Sequence, residues 1–425
     1  MKGLACLIGV LGLLSGRVLA QPVAPLPVAG PESAGISAAR LARMHQFMQS
    51  VTDSGAYSGA VTLIARHGRL VDWRAFGHRD LSKTAPMEPD AIFRIYSMTK
   101  TVTSVAVLML MEEGKFDLDD PIRNYLPEFS NMQVFDGGTA DAPRLRPALR
   151  PITIRQLLTH TAGFAVGGKD AAEAVKLLDR ANLHQSADLE TYCARLSRLP
   201  LAIDPGTRFN YDGVQIVVLS RLVEVAAKTP FDRFLQQRIF EPLRLKDTGF
   251  SVPEAQRGRI VEMSSTDRDG RLVPAPEYSG SIPGEMLNPY YSGAGGLYST
   301  AADYVRFSQM LLNGGELDAV SILGRKTVEL MMADHLTHLD PPTTGLRAGE
   351  GFGLGGYVVL NVAKRGQPGS VGQFGWFGAA STYYTIDRQE QLIAMLFMQH
   401  LPQDLPSDPP KISARFYTLV YQSLL

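Results

Sequence analysis

The chain has 425 residues, with 42 Lys and Arg against 42 Asp and Glu, so its formal net charge is zero. That balance supplies no field to draw it to a polyanion, which removes nucleic acid and anionic surfaces from the expected partners. Two cysteines in the whole sequence cannot build a disulfide framework, so packing must hold the fold.

In chain order, Met1-Lys2, an apolar run from Leu4 to Leu14 and the small residues before Gln21-Pro22 form the pattern of a secretory signal peptide over 1–20. The run is too short to span a membrane, so the expectation is an exported protein, periplasmic or secreted, without a stable membrane anchor. Its removal would leave Cys193 as the single cysteine. Residues 21–35, rich in Pro, Ala and Val, read as an extended leader, and 36–425 as the folded domain. Ile36 to Ser50 carries Leu41, Met44, Phe47 and Met48 at helical spacing and predicts an amphipathic helix. Gly59 to Ala65 and Leu70 to Phe76, joined at His67-Gly68, predict a β-hairpin.

Next comes Phe93-Arg94-Ile95-Tyr96-Ser97-Met98-Thr99-Lys100, followed by an apolar run to Met111 and a stop at Gly114. The run is too long for a strand and predicts a buried helix beginning near Ser97. Positions three apart share a helix face, so the Lys100 amine can reach the Ser97 hydroxyl. A hydroxyl needs a base to become a nucleophile, and a desolvated lysine is one such base. The positive end of the helix also favours the alkoxide.

Beyond Leu118 the expectation is helices and loops: a helix from Asp119-Asp120-Pro121-Ile122, an irregular surface excursion from Asn131 to Arg150, and a helix capped by Thr153. Val214 to Ala227 and Phe231 to Ile239 predict further helices. Ser292 to Thr300 is a glycine-rich turn ahead of another helix, and Gly355 to Val362, Ala379 to Ile386 and Gln391 to Met398 predict strands. Strands at both ends and helices between them suggest one sheet built from both termini (36–116 and about 290–425), with a mainly helical lobe over about 117–289 inserted. Ser97 falls near the hand-over, and clefts between lobes are where small-molecule sites lie.

Two other stretches could complete a site around Ser97. The loop from Asp204 to Gly213 delivers Tyr211, a phenol able to shuttle a proton beside a lysine, although alone it reads as an ordinary tyrosine. Gly375-Trp376-Phe377-Gly378-Ala379 is a glycine-punctuated strand, and glycine in a strand marks close backbone approach.

Together these stretches resemble the penicillin-recognising serine hydrolases: class C β-lactamases, D-Ala-D-Ala carboxypeptidases and the family VIII esterases. Ser97-Met98-Thr99-Lys100 is similar to that family's first motif, Tyr211 to the leading tyrosine of Y-x-N, and Trp376-Phe377-Gly378 to the place of K-T-G, H-x-G or W-G-G. Leu157 to Gly163, Pro205 to Tyr211 and Gly295 to Thr300 also look like the family, in family order. The resemblance implies an α/β fold of the β-lactamase/transpeptidase type, with an antiparallel sheet flanked by helices and an inserted all-helical lobe. It implies Ser97 as nucleophile, Lys100 as the base of acylation and Tyr211 as proton relay and activator of the deacylating water. Backbone N–H groups of Ser97 and Ala379 would form the oxyanion hole, with Gly378 permitting the approach. His160 reads as structural.

The chain departs from the pattern at two substrate-binding positions. Gly213 stands where β-lactamases and peptidases place an asparagine, and Trp376 where they place a cation. Both changes subtract recognition of acylated amino acids and leave ester acylation intact. Phe377 replaces the second glycine, and strand alternation allows only one of Trp376 and Phe377 to face the cleft. No G-x-S-x-G, H-E-x-x-H, paired C-x-x-C or phosphate-binding glycine loop occurs, so no metal, nucleotide or other cofactor is expected. The leading expectation is therefore an exported serine esterase acting on small, carboxylate-free esters through an acyl-enzyme. The alternatives are a β-lactamase or D-Ala-D-Ala carboxypeptidase of the same fold, and a penicillin-binding sensor that does not turn over.

Overall fold

The computed structural model describes residues 24–164, 172–275, 282–339 and 346–425, and the signal-peptide pattern over 1–20 lies outside them. Among the described residues no helix is long and apolar enough to cross a membrane.

Strand alternation builds the centre of the molecule. In β1 (Gly59–Arg66) Val61, Leu63 and Ala65 point to one side and Ala60 and Ile64 to the other, and all are buried. A strand buried on both faces needs a cover on each. Helix α1 (Ala38–Asp53) lays Leu41, Met44 and Met48 on one face, joined there by Phe416 and Val420 of the C-terminal helix Ser413–Tyr421. The other face carries the principal core, including Tyr304 and Phe307 and the apolar side of α2 (Thr99–Glu112).

The sheet has seven antiparallel strands. After the hairpin of β1 and β2 (Arg69–Gly77), the remaining five come from the end of the chain: β3 (Glu350–Phe352), β4 (Tyr357–Val359), β5 (Phe374–Gly378), β6 (Thr382–Asp387) and β7 (Leu392–Phe397). Their order is β3-β4-β5-β6-β7-β1-β2, so β1 lies beside β7, with Val61 opposite Phe397. This is the antiparallel sheet flanked by helices that the sequence predicts.

Several local readings are corrected. Asn131 to Arg150 is not irregular: Gln133–Thr139 and Ala142–Pro147 pair as a hairpin, with Gly137 and Gly138 at positive φ where the register shifts. Most of its second strand is exposed, so no apolar alternation signals it. Asp119 to Ile122 starts no α-helix: Pro121 is extended and bridges to Thr153, and a single 3₁₀ turn follows at Ile122–Asn124. The strand read over Gly355 to Val362 is only Tyr357–Val359, because Gly355 takes φ 99° and Asn361 caps a short helix. Ala379 to Ser381 belong to the turn between β5 and β6, closed by the Ser381 N–H donating to the Gly378 carbonyl. The Thr153 cap is present as a capping box with Gln156, and Val214–Ala227 is a helix with the bounds expected, here α3.

Candidate active site

Ser97 sits in a 3₁₀ turn (Tyr96–Met98) that runs directly into α2, so the nucleophile candidate stands at the helix's positive end. Tyr96 holds a positive φ of 41°, a conformation a bulky residue adopts only when its surroundings dictate it. Lys100 is 4% exposed and its Nζ lies 3.2 Å from Ser97 Oγ, so the spacing read from sequence delivers the contact.

A second partner of the lysine was not visible in the sequence. Lys100 Nζ donates to the Ala294 carbonyl at 2.6 Å, which orients the amine. Ala294 belongs to the glycine-rich turn, and the turn reaches α2 because Gly293 has no side chain. A Cβ there would lie 2.3 Å from Ser220 Oγ and 2.6 Å from Thr103 Oγ1. The Ser-Gly-Ala-Gly-Gly run was the signal, since consecutive small residues mark close backbone packing. Gly293→Ala is expected to push this turn off α2 and loosen the lysine's anchor. Thermal unfolding should drop by several degrees, for a loss of about 1–3 kcal/mol from overpacking, and hydrolysis of a p-nitrophenyl ester, if it depends on the lysine, should fall more steeply than the folded fraction measured by circular dichroism.

Tyr211 lies half-buried on the loop ahead of α3, with Lys100 Nζ 5.1 Å from its ring centroid. Its hydroxyl accepts from Trp376 Nε1 at 3.1 Å. Alternation along β5 thus resolves the tryptophan and phenylalanine: Trp376 is 4% exposed and packs on Tyr211 and Phe352, whereas Phe377 is 44% exposed. Gly378 makes the close approach, since a Cβ on it would be 2.5 Å from the Ile95 carbonyl oxygen, two residues before Ser97. The turn after it presents Ala379, exposed, with an N–H that takes no part in the turn's closing bond. Gly213 lies at the start of α3 with helical φ and ψ, and a Cβ there would meet only Ala294 Cβ, at 3.4 Å.

Two buried ionisable groups stand beside Tyr211. Burial pushes the Asp212 carboxyl up to about 6, against the hydrogen bonds it accepts from Gln215. Burial and the charge of Lys100 hold the His160 imidazole well below its usual range. A cavity of about 750 Å³ adjoins β5 from Trp376 to Gly378 and Ala379 beyond it, but Ser97 is not on its wall. The contact of Ser97 Oγ with Lys100 Nζ thus lies off the wall of that cavity. No group of three or more His, Cys, Asp or Glu able to hold a metal occurs among the described residues.

A seven-stranded antiparallel sheet flanked by helices, with a serine and a lysine one turn apart at a helix start, defines a serine hydrolase of the β-lactamase/transpeptidase type. The family model described as Beta-lactamase matches residues 43–414, and the chain belongs to that family. Protein Rv1367c of Mycobacterium tuberculosis is 36% identical over 369 residues, covering 85% of this chain and 90% of its own. Esterase EstB of Burkholderia gladioli is 30% identical over 386 residues, covering 86% and 92%. Among solved structures, unliganded simvastatin synthase (LovD) of Aspergillus terreus superposes with a TM-score of 0.75 at 25% identity, covering 90% of this chain and 98% of that one.

Proposed function

We propose that this chain is a carboxylesterase that hydrolyses small, carboxylate-free esters through an acyl-enzyme on Ser97, and that it works outside the cytoplasm after loss of residues 1–20. The observation that carries the substrate class is Trp376. The position that would offer a cation to a substrate carboxylate holds an indole, buried and committed by its N–H to Tyr211. The likeness to esterase EstB supports the same reading.

In this mechanism Lys100 takes the Ser97 proton as Oγ bonds to the ester carbonyl carbon. The oxyanion that forms is held by the N–H groups of Ser97 and Ala379. Tyr211 passes a proton to the departing alcohol as the C–O bond breaks. Water, activated at Tyr211, then attacks the acyl carbon, and Ser97 leaves with a proton restored. The test is steady release of p-nitrophenol from p-nitrophenyl butyrate in excess of enzyme, with a specificity constant above that for nitrocefin. A higher constant for nitrocefin would make the protein a β-lactamase, and a single stoichiometric burst would make it a sensor.

Selectivity gives a further expectation. A charge-assisted hydrogen bond contributes roughly 1.5–3 kcal/mol, or about one to two decades in preference. Gly213 takes a backbone any residue adopts and has room for a Cβ, so Gly213→Asn should fold as the parent does. We expect its nitrocefin-to-butyrate ratio to rise about tenfold, and that of Gly213→Asn with Trp376→Lys to rise further per folded molecule. The double variant must lose stability, because removing a buried tryptophan costs about 3–5 kcal/mol. An unchanged ratio in a well-folded Gly213→Asn would place selectivity elsewhere.

A further inference from the structure

We propose that His160 is a positioning residue that fixes Tyr211 for proton transfer, an inference that rests on the reading of Tyr211 as proton relay. The peptide N–H groups on both sides of Tyr211 go to this one residue. Asn210 N–H donates to the His160 carbonyl at 2.8 Å, and Asp212 N–H donates to His160 Nδ1 at 3.4 Å. The imidazole also backs the phenol, with ring centroids 4.7 Å apart. Backbone carbonyl, ring nitrogen and ring face of this one residue thus hold the N–H groups of the residues before and after Tyr211, and its ring.

The conformation of His160 makes that grip possible. Its φ of 55° is left-handed, a region where histidine, with asparagine and aspartate, is found more often than other non-glycine residues. Phe352 and Phe209 meet its ring edge-on, at 5.4 and 6.0 Å, and keep it from rotating. An imidazole accepts at Nδ1 only when neutral, with its proton on Nε2. Burial and the neighbouring Lys100 charge enforce that neutrality.

A role in stability alone accounts poorly for these facts. Among the described residues the buried Nε2 has no hydrogen-bond partner, and an unpaired buried donor opposes folding. On its other side the ring both accepts from the tyrosine loop, at Asp212 N–H, and packs against Tyr211 itself. From the opposite side Trp376 Nε1 donates to the phenol oxygen, so the hydroxyl is held between the indole and the loop that His160 grips.

The experiment compares His160→Asn and His160→Phe, each in the parent and in a Tyr211→Phe background, with p-nitrophenyl butyrate and melting temperature as readouts. Asparagine tolerates the left-handed backbone and offers an oxygen near the place of Nδ1, whereas phenylalanine keeps a ring and loses the acceptor. The expected result is a kcat about ten- to a hundredfold lower for His160→Phe with KM within about threefold, and recovery of most of that loss in His160→Asn. In the Tyr211→Phe background the same His160→Phe exchange should change kcat by less than about threefold, because a residue acting through the phenol has nothing left to position. If His160→Phe is insoluble, His160→Gln, whose amide reaches the Nε2 place instead, takes its part in the comparison. Equal losses in the two backgrounds, tracking melting temperature, would overturn the proposal. Near-parental kcat in Tyr211→Phe alone would overturn the relay reading, and the positioning role with it. A slow Tyr211→Phe with His160 variants at parental rate would remove the positioning role and leave the relay standing.

Discussion

Ser97→Ala is expected to abolish turnover of p-nitrophenyl esters and to prevent labelling by a fluorophosphonate probe, while the melting temperature stays near that of the parent. The loss should be near total because Ser97 Oγ, the proposed nucleophile, is the hydroxyl that Lys100 Nζ reaches, at 3.2 Å. Nothing in the fold should compensate. Other hydroxyls on α2 are buried away from substrate: Thr103 Oγ1 lies within hydrogen-bond distance of the Thr99 and Gly293 carbonyls, Thr101 Oγ1 donates to the Gly355 carbonyl, and Ser104 is fully buried. The stability cost should be small because Ser97 is only partly buried and the exchange removes one oxygen. Binding and an oxyanion hole alone leave a residual rate in other nucleophile deletions, so the assay must resolve turnover about a millionfold below the parent. A variant that still labels and hydrolyses at a comparable rate would put the nucleophile elsewhere.

How much of this was legible in the sequence depends on the range of the interaction. The Ser97–Lys100 contact is encoded locally: two residues at helical spacing on an apolar helix must share a face, and the structure places them so. Helix Val214–Ala227 and the hairpin of β1 and β2 were equally plain, because apolar periodicity is itself local. The hairpin over 133–147 was missed because a solvent-exposed pair leaves no alternation to read. The Pro121 stretch misled because aspartates ahead of a proline suit an extended entry as well as a helix start.

Long-range pairings were out of reach of any spacing rule. The Ala294 carbonyl meets Lys100 across 194 positions, and Trp376 Nε1 meets the Tyr211 hydroxyl across 165. Small residues in the 292–296 run announced a close approach without saying to what. His160 shows the same limit from the other direction. In sequence it is one histidine in a threonine-rich stretch, and only the fold brings it under Tyr211. Strand alternation allowed only one of Trp376 and Phe377 to turn to the tyrosine loop, although their rings stack on each other, and choosing between them needed the position of that loop.

The division of labour between lysine and tyrosine leads to the second large expected effect. Lys100→Ala and Tyr211→Phe should each lower kcat by roughly two to four decades, the usual range for lost general acid–base catalysis, but they should differ in which esters suffer. Lys100 lies against the nucleophile and donates to a fixed carbonyl, a geometry suited to receiving the Ser97 proton. Every ester needs that step, so Lys100→Ala should slow aryl and alkyl esters alike. Tyr211 has its ring beside the lysine and its oxygen bonded to the indole, which suits it to protonating the departing oxygen. A p-nitrophenolate leaves as the anion near neutral pH, whereas an alkoxide does not leave without a proton. Acylation by an alkyl butyrate should therefore fall about tenfold or more below acylation by p-nitrophenyl butyrate in Tyr211→Phe, with both measured as single-turnover rates so that deacylation does not mask the difference. The phenylalanine exchange keeps the ring and strands only the indole N–H, so the fold should hold within about 1–3 kcal/mol. Equal single-turnover losses for the two esters would remove Tyr211 from leaving-group protonation. In that case its remaining place in the mechanism would be activation of the deacylating water.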